Sequence, residues 1–152
     1  MKKLWIWIAV VLTVALLVGF DYYRSTEFKL EIVELSPQPA PADGQSPVKL
    51  KVRLLDGKGL PVEGHILFGL PRNGGLFSSN RMRTNADGEA EYTYYPYKAS
   101  KLQPVRKVKI DIIDESNSVF IEINTKLTVE LDLVQPEQET KSEHSLDNIF
   151  GE

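Results

Sequence analysis

Residues 48–95 read VKLKVRLLDGKGLPVEGHILFGLPRNGGLFSSNRMRTNADGEAEYTYY, and this stretch decides the fold class. Apolar and basic side chains alternate from Val48 to Leu54, which is the period of a strand with one buried and one solvated face. Residues 56–59 form a turn, because the two glycines accept a positive φ without a Cβ clash. Further strands are predicted over residues 65–70 and 89–95, so the stretch predicts antiparallel strands joined by turns.

The flanking residues extend this β pattern in both directions. A first strand is predicted from Phe28 to Leu35, and a proline-rich loop, 36–47, follows it. Another strand is predicted from Val105 to Ile113. The alternation over residues 119–133 is too long for one strand and predicts two strands, or one that bends. With about seven strands and no helical period between residues 28 and 134, the sequence predicts an all-β, antiparallel β-sandwich.

An uncharged segment of 17 residues, 4–20, precedes the predicted sandwich. As a helix it would span roughly 25 Å, which is at the short end for crossing a membrane core of about 30 Å. Tryptophans lie at its start, tyrosines follow its end, and two lysines precede it. The positive-inside rule therefore predicts residues 1–3 in the cytoplasm, a transmembrane helix over 4–20, and a juxtamembrane linker over 21–27 on the other side.

A cleaved secretory signal has the same charged start and apolar run, and it stays open as the alternative. The run ends Leu17-Val18-Gly19-Phe20, which lacks the small residues of a cleavage site, and no cysteine follows for lipoprotein processing. A retained signal-anchor is therefore favoured. It predicts a single-pass protein of the cell membrane whose C-terminal domain is extracytoplasmic.

Charge is distributed unevenly along the chain of 152 residues, whose formal net charge is −3. Residues 47–109 hold 12 basic and 5 acidic residues, net +7, whereas residues 110–152 hold 2 basic and 11 acidic residues, net −9. Such asymmetry predicts contact between a basic face and something acidic, or else two halves that neutralise each other across one sheet. The absence of cysteine excludes disulfides, thiol nucleophiles and cysteine metal sites.

Residues 48–113 resemble the bacterial immunoglobulin-like domains of invasin- and intimin-type surface proteins. The resemblance lies in a D-x-x-G-x-P-V-x-G pattern before an apolar strand with a phenylalanine, and in a later T-x-x-x-G-x-A pattern. The matching residues are Asp56, Gly59, Pro61, Val62, Gly64 and Phe68, then Thr84, Gly88 and Ala90, with Leu60 as one extra residue. The resemblance implies an immunoglobulin-like sandwich over residues 28–134. Because the family usually occurs as tandem repeats in adhesins, one copy behind an anchor favours a subunit of an envelope assembly.

The last residues, 135–152, are acidic and polar, which predicts a disordered tail. Near its end, Leu146, Ile149 and Phe150 are spaced i, i+3 and i+4 after Ser145, a good helix N-cap. These three side chains would form a linear motif that docks in a groove of a partner protein. The alternative is a frayed end with apolar residues placed by chance.

Several basic and aromatic residues are candidates for surface recognition. Tyr92 and Tyr94 share one strand face and are expected to pack inside, whereas Tyr95 and Tyr97 would face the other way, beside lysines. Exposed tyrosines with basic neighbours are typical of recognition surfaces, and loop arginines would bind an acidic partner or an anionic wall polymer; a solvated face explains them equally well. The candidates are Arg72, Arg81, Arg83, Tyr95, Tyr97, Lys98 and Lys101.

Residues for catalysis or metal binding do not form a recognisable pattern in the sequence. Its two histidines, His65 and His144, have no neighbours at ligand spacing, and no nucleophile elbow or phosphate-binding loop occurs. We therefore expect no catalytic residue, cofactor, metal or nucleic-acid partner. The sequence predicts a non-catalytic module that binds protein partners in an envelope assembly for secretion, conjugation, pilus formation or wall association. The alternative is an adhesive module that recognises glycans or anionic wall polymers.

Overall fold

The computed structural model describes residues 2–117 and 124–136, except for the side chain of Lys2. One helix comes first and ten strands follow it. The helix is α1 (Lys2–Thr26), and the strands are β1 (Phe28–Ser36), β2 (Ala40–Pro41), β3 (Val48–Asp56), β4 (Ile66–Pro71), β5 (Leu76–Phe77), β6 (Arg81–Arg83), β7 (Glu89–Tyr95), β8 (Val108–Asp114), β9 (Lys126–Leu131) and β10 (Leu133–Val134).

Two four-stranded antiparallel sheets form the sandwich, in the orders β1-β3-β7-β5 and β6-β4-β8-β9. The predicted alternation is visible in β3, where every second side chain from Val48 is buried. The largest fully buried side chains come from both sheets, so one core lies between them. They are Tyr92, Tyr94, Leu50, Leu54, Leu67, Ile110, Ile112, Leu131, Val48, Val52, Val108 and Val129.

The predicted fold class is confirmed by these two packed sheets behind one apolar helix. Seven of the ten strands have three or more residues, which agrees with the predicted number. The pairing of β2 with β10 is a feature that the sequence did not predict. β2 lies within the loop that the prolines predicted, and it pairs in parallel with β10, Ala40 beside Leu133. β8 begins at Val108 rather than Val105, because the N–H of Arg106 donates to the Tyr97 hydroxyl and not to a neighbouring strand.

The helix is joined to the sandwich without the linker predicted over residues 21–27. α1 continues to Thr26, and only Glu27 separates it from β1. The Thr125 hydroxyl donates to the backbone oxygen of Ser25 at 2.9 Å, and Asp21 is fully buried. The last turn of α1 is therefore packed against the domain. α1 is long and apolar enough to cross a membrane. An N-terminal signal sequence meets the same two criteria of length and composition.

Strand register defines two ends of the sandwich. Phe28 pairs with Asp56, and Ser36 pairs with Lys49, so β1 runs from the end next to α1 to the opposite end. We call the opposite end the distal end. Three connections meet there, over residues 37–47, 72–75 and 96–107, and the chain leaves the domain there after β10.

The two oppositely charged parts of the sequence neutralise each other across the second sheet. Four ion pairs there each join a basic residue before position 110 to an acidic residue after it. They are Arg72–Asp111, Arg81–Glu115, Lys107–Asp132 and Lys109–Glu130. One of the two explanations that the sequence left open is therefore observed, and it accounts for most of the basic side chains on this sheet.

Candidate partner-binding surface

Arg72 belongs to a charged cluster on the outer face of the second sheet. Asp111 lies at its centre with only 2% of its surface exposed. Its carboxylate accepts hydrogen bonds from the Arg72 guanidinium, from Lys126 Nζ at 2.9 Å and from the Thr128 hydroxyl at 2.7 Å. Arg72 therefore neutralises a carboxylate of its own chain, which reduces its capacity to bind an external anion.

Arg81 and Arg83 lie on β6, away from the other candidates. Arg81 forms a bidentate ion pair with Glu115 at 2.9 and 3.0 Å, and its guanidinium lies 4.7 Å from the centre of the Phe68 ring. Arg83 donates to the backbone oxygen of Gly64 at 2.7 Å. The predicted anion-binding set of three arginines is thus divided between separate places, and each of its members has an internal partner.

The two tyrosines of the predicted recognition surface differ in exposure. Tyr97 is 9% exposed and belongs to the core, which contradicts the expectation that it faces solvent. Its hydroxyl donates to the Pro104 oxygen at 2.8 Å and accepts from the Arg106 N–H, so the ring holds the loop in place. Tyr95 ends β7 and is half-buried. Tyr92 and Tyr94 are buried, as the sequence predicts.

Lys98 and Lys101 are exposed on the connection between β7 and β8 at the distal end. Residues 100–103, which include Lys101, form a tight turn, because the Ser100 N–H donates to the Gln103 oxygen at 2.9 Å and the Gln103 N–H donates to the Ser100 hydroxyl. Leu102 lies in this turn and is 98% exposed. Among the described residues, neither lysine forms an ion pair.

Arg106 completes this surface and was missed by the sequence reasoning. Its guanidinium lies 5.9 Å from the centre of the Tyr97 ring, and Nη2 donates to the Asn73 oxygen at 3.1 Å. The tyrosine–arginine spacing in the sequence was the available signal, because an arginine stacks readily on an aromatic ring. We define the distal surface as Lys98, Lys101, Leu102 and Arg106. It combines three exposed basic residues with one exposed leucine on the same connection, which suits an acidic ligand with an apolar side chain.

The Asp111 cluster predicts a specific acid sensitivity. Burial by itself raises the pKa of Asp111, but the hydrogen bonds from Lys126, Thr128 and Arg72 outweigh it and hold the pKa below its usual value of 3.8. A carboxyl group with a lowered folded pKa stabilises the protein above its unfolded pKa, and this contribution disappears as the pH falls through the folded pKa. We expect Asp111→Asn to cost about 1–2 kcal/mol at pH 7, since both cations are half-exposed.

This cost should decrease as the pH falls below 3.8 towards the lowered folded pKa of Asp111, because the unfolded chain then binds a proton at this carboxyl more readily than the folded chain does. Urea unfolding at several pH values measures it. Asp87→Asn, in an exposed turn, is the matched control and should have little effect at any pH. An Asp111→Asn cost that stays constant down to pH 2 would contradict the role of the ionised carboxylate.

The predicted tail motif, Leu146, Ile149 and Phe150, lies outside the described residues. The same holds for His144. His65 is described, and its Nδ1 lies 2.9 Å from the buried carboxylate of Asp114, next to the ring of Phe28. Within residues 2–117 and 124–136, no group of three or more histidine, cysteine, aspartate or glutamate side chains is arranged to hold a metal ion.

Comparisons with known proteins give similarities of fold. No protein-family model matches the chain, and no curated protein matches it. Among solved structures, the D0-D1 domain of intimin matches with a TM-score of 0.47 and 19% identity, covering 72% of this chain and 50% of that one. The D00-D0 domain of intimin matches with a TM-score of 0.47 and 13% identity, covering 66% and 46%. This chain therefore spans about half the length of the intimin structures.

A conjugative transposon lipoprotein from Bacteroides eggerthii also matches, with a TM-score of 0.46 and 13% identity, covering 70% of this chain and 98% of that one. Intimin is also among the surface proteins that residues 48–113 resemble. At these identities the similarity concerns the fold alone. The chain is similar in fold to intimin-type immunoglobulin-like domains and carries one apolar helix in front of that fold.

Proposed function

We propose that this protein is a membrane-anchored, non-catalytic module that binds a protein partner in a cell-envelope assembly. The observation that carries the proposal is the join between α1 and the sandwich. The last helical turn contacts Thr125 and leads into β1 after one residue, so the helix end is part of the folded domain. A segment that is built into the domain in this way favours a retained anchor over a cleaved signal.

The same join positions the distal surface. The nine residues of β3 span roughly 30 Å at about 3.3 Å per residue, and they run between the two ends of the sandwich. A domain attached directly to a membrane helix therefore carries Lys98, Lys101 and Leu102 some 30 Å from the helix end. With the N-terminal lysines in the cytoplasm, this surface would face extracytoplasmic partners.

Protein partners are favoured over anionic polymers by the way the arginines are used. Arg72, Arg81 and Arg83 bind groups of this chain, so the basic residues left at the distal end are few, and an exposed leucine lies next to Lys101 among them. Such a surface suits an acidic protein patch with an apolar pocket. The assembly would be one for secretion, conjugation, pilus formation or wall association. Binding to a wall polymer is the alternative, and it would be lost steeply with added salt.

The anchor is tested by a charge in the middle of α1. We expect Val11→Lys to remove most of the protein from the membrane fraction. A lysine at the centre of a membrane helix makes insertion of that helix less favourable by about 2.5–3.5 kcal/mol. Val11→Leu, which keeps the position apolar, should leave the protein in membranes that have been washed with alkaline carbonate. A wild-type protein that is released by carbonate and begins after residue 26 would contradict the anchor.

The distal surface is tested by charge reversal in native membranes. We expect Lys98→Glu combined with Lys101→Glu to reduce crosslinking to a defined partner by about tenfold or more, because two favourable charge contacts become repulsive. The control is Lys29→Glu combined with Lys58→Glu, which makes the same change in net charge at exposed lysines near the other end. Equal crosslinking of both double variants would contradict partner binding at the distal surface.

A further inference from the structure

We propose that the C-terminal segment of this chain, residues 137–152, docks on the chain's own distal surface. The proposed contact is intramolecular and places acidic side chains of the segment on Lys98 and Lys101, with an apolar side chain of the segment against Leu102. It goes beyond the proposed function, because it concerns a contact within one chain and holds whether or not an external partner is found.

The first argument is where the chain leaves the domain. The Ala42 N–H donates to the Val134 oxygen at 2.9 Å, and the Ala42 oxygen accepts from the Ala99 N–H at 2.8 Å. Ala42 thus lies between the chain exit and the 96–107 connection. Two backbone spacings of about 4.8 Å place Val134 roughly 10 Å from Ala99. The segment therefore begins beside the surface that it is proposed to occupy.

The second argument is charge. The segment contains 5 acidic residues and 1 lysine, a net charge of −4. The neighbouring carboxylates of the domain are already engaged. Asp132 pairs with Lys107 at 3.2 Å, and Asp43 accepts hydrogen bonds from Gln45 and Ser46 even though its backbone bridges to Lys98. Lys98 and Lys101 have no ion pair among the described residues, so they are available to the segment.

The third argument is the exposed leucine next to Lys101. A single exposed leucine is ordinary, but Leu102 is 98% exposed in the hydrogen-bonded turn that also holds Lys101. The segment carries Leu146, Ile149 and Phe150 among its acidic residues. Contact between Leu102 and one of these side chains would remove apolar surface from water. This would stabilise the same contact that the opposite charges favour.

Chain length permits this contact. Residue 146 is ten residues beyond Pro136, a reach of up to about 33 Å at 3.3 Å per residue, which exceeds the separation of roughly 10 Å estimated above. A short connection between two binding groups gives an effective concentration in the millimolar range, so a weak contact is sufficient for occupancy. The consequence is regulatory. A partner that binds the distal surface must first displace the segment.

Zero-length carbodiimide crosslinking of the purified full chain in detergent micelles tests the proposal, since the reagent joins a lysine amine to a carboxylate in direct contact. We expect links from Lys98 and Lys101 to carboxylates of residues 137–152. Their yield should not change on tenfold dilution, and it should fall by about an order of magnitude in 1 M salt, where the Debye length is near 3 Å. Lys29 and Lys58 should not link to the segment.

The two double variants described above provide the controls. Lys98→Glu with Lys101→Glu should lose the links at these positions and should also raise hydrogen exchange of the 98–106 amides to the rates measured for the chain ending at Pro136. Lys29→Glu with Lys58→Glu should retain both the links and the slow exchange. Absence of the links, equal linking of Lys29 and Lys58, or a yield that falls with dilution, as a contact between two copies would show, overturns the proposal.

Discussion

Gly75→Ala is expected to destabilise the protein by about 3–5 kcal/mol, whereas Gly59→Ala is expected to cost only about 1–2 kcal/mol. Both glycines have a φ of +79°, in the left-handed region where a Cβ is strained. The strain of the backbone is therefore the same at the two positions. What differs is the space around the added methyl group.

A Cβ at position 75 would overlap the hydroxyl of Tyr94 and lie 2.6 Å from the backbone oxygen of Tyr95. Tyr94 is fully buried, and its hydroxyl donates to the Gly74 oxygen at 2.7 Å, so the ring has no free direction in which to move. Around Gly59, no atom other than those of the glycine and its two chain neighbours lies within 4 Å of the position of a Cβ. The difference between the two variants therefore measures the steric contact with β7.

Urea unfolding of the full chain in detergent, followed by the near-ultraviolet circular dichroism of its tyrosines, gives both free energies of unfolding. The midpoint should shift strongly for Gly75→Ala and slightly for Gly59→Ala, with similar slopes for the two variants. Equal shifts would show that the connection before β5 relaxes away from Tyr94. The close packing of that connection on β7 would then be wrong.

Tyr92→Ala should cost about 4 kcal/mol, and Tyr92→Phe about 1 kcal/mol. Tyr92 belongs to the first sheet, yet its hydroxyl donates to the Leu67 oxygen of the second sheet at 2.8 Å. Its ring packs 5.2 Å from that of Phe77 in the core. Because burial raises the pKa of Tyr92, the hydroxyl stays protonated and remains a donor. The alanine variant loses the ring and the bond, and the phenylalanine variant loses only the bond.

Tyr95→Phe is the matched control for this pair. Tyr95 is in the same strand but points to the outer face, and within the described part of the chain its hydroxyl has no hydrogen-bond partner. Its removal should change the free energy of unfolding by less than about 0.5 kcal/mol. If Tyr92→Phe were as mild as Tyr95→Phe, the hydrogen bond between the sheets would contribute nothing measurable to stability.

Local patterns were sufficient for the elements themselves. β7 has the bounds that alternation predicted, and β1 and β3 each differ by a residue or two, because a strand with one buried face shows its period in the sequence. The same alternation identified Tyr92 and Tyr94 as core residues. The apolar helix was equally visible, since a long uncharged run needs no tertiary information to be identified.

Local patterns could not predict which charged residues pair with one another and which remain in solvent. Asp111 alternates in β8 like any solvated residue, yet two cations from β9 and the end of β4 cover it. Strand order decides such contacts, and no local pattern encodes which strands become neighbours. For the same reason the three arginines looked like one loop set, although β6 places two of them on a sheet edge.

The sequence by itself determined an all-β sandwich, an apolar helix in front of it and the turns between its strands, because periodicity, turn residues and hydrophobic length act over short distances. Only the tertiary structure decided that the helix end joins the domain without a linker, that Tyr97 is buried, and that Lys98, Lys101, Leu102 and Arg106 form one surface beside the chain exit. These features depend on which strands pair and on where the chain leaves the sandwich after its last strand. Such contacts join residues far apart in sequence, and their energies exist only in the folded chain.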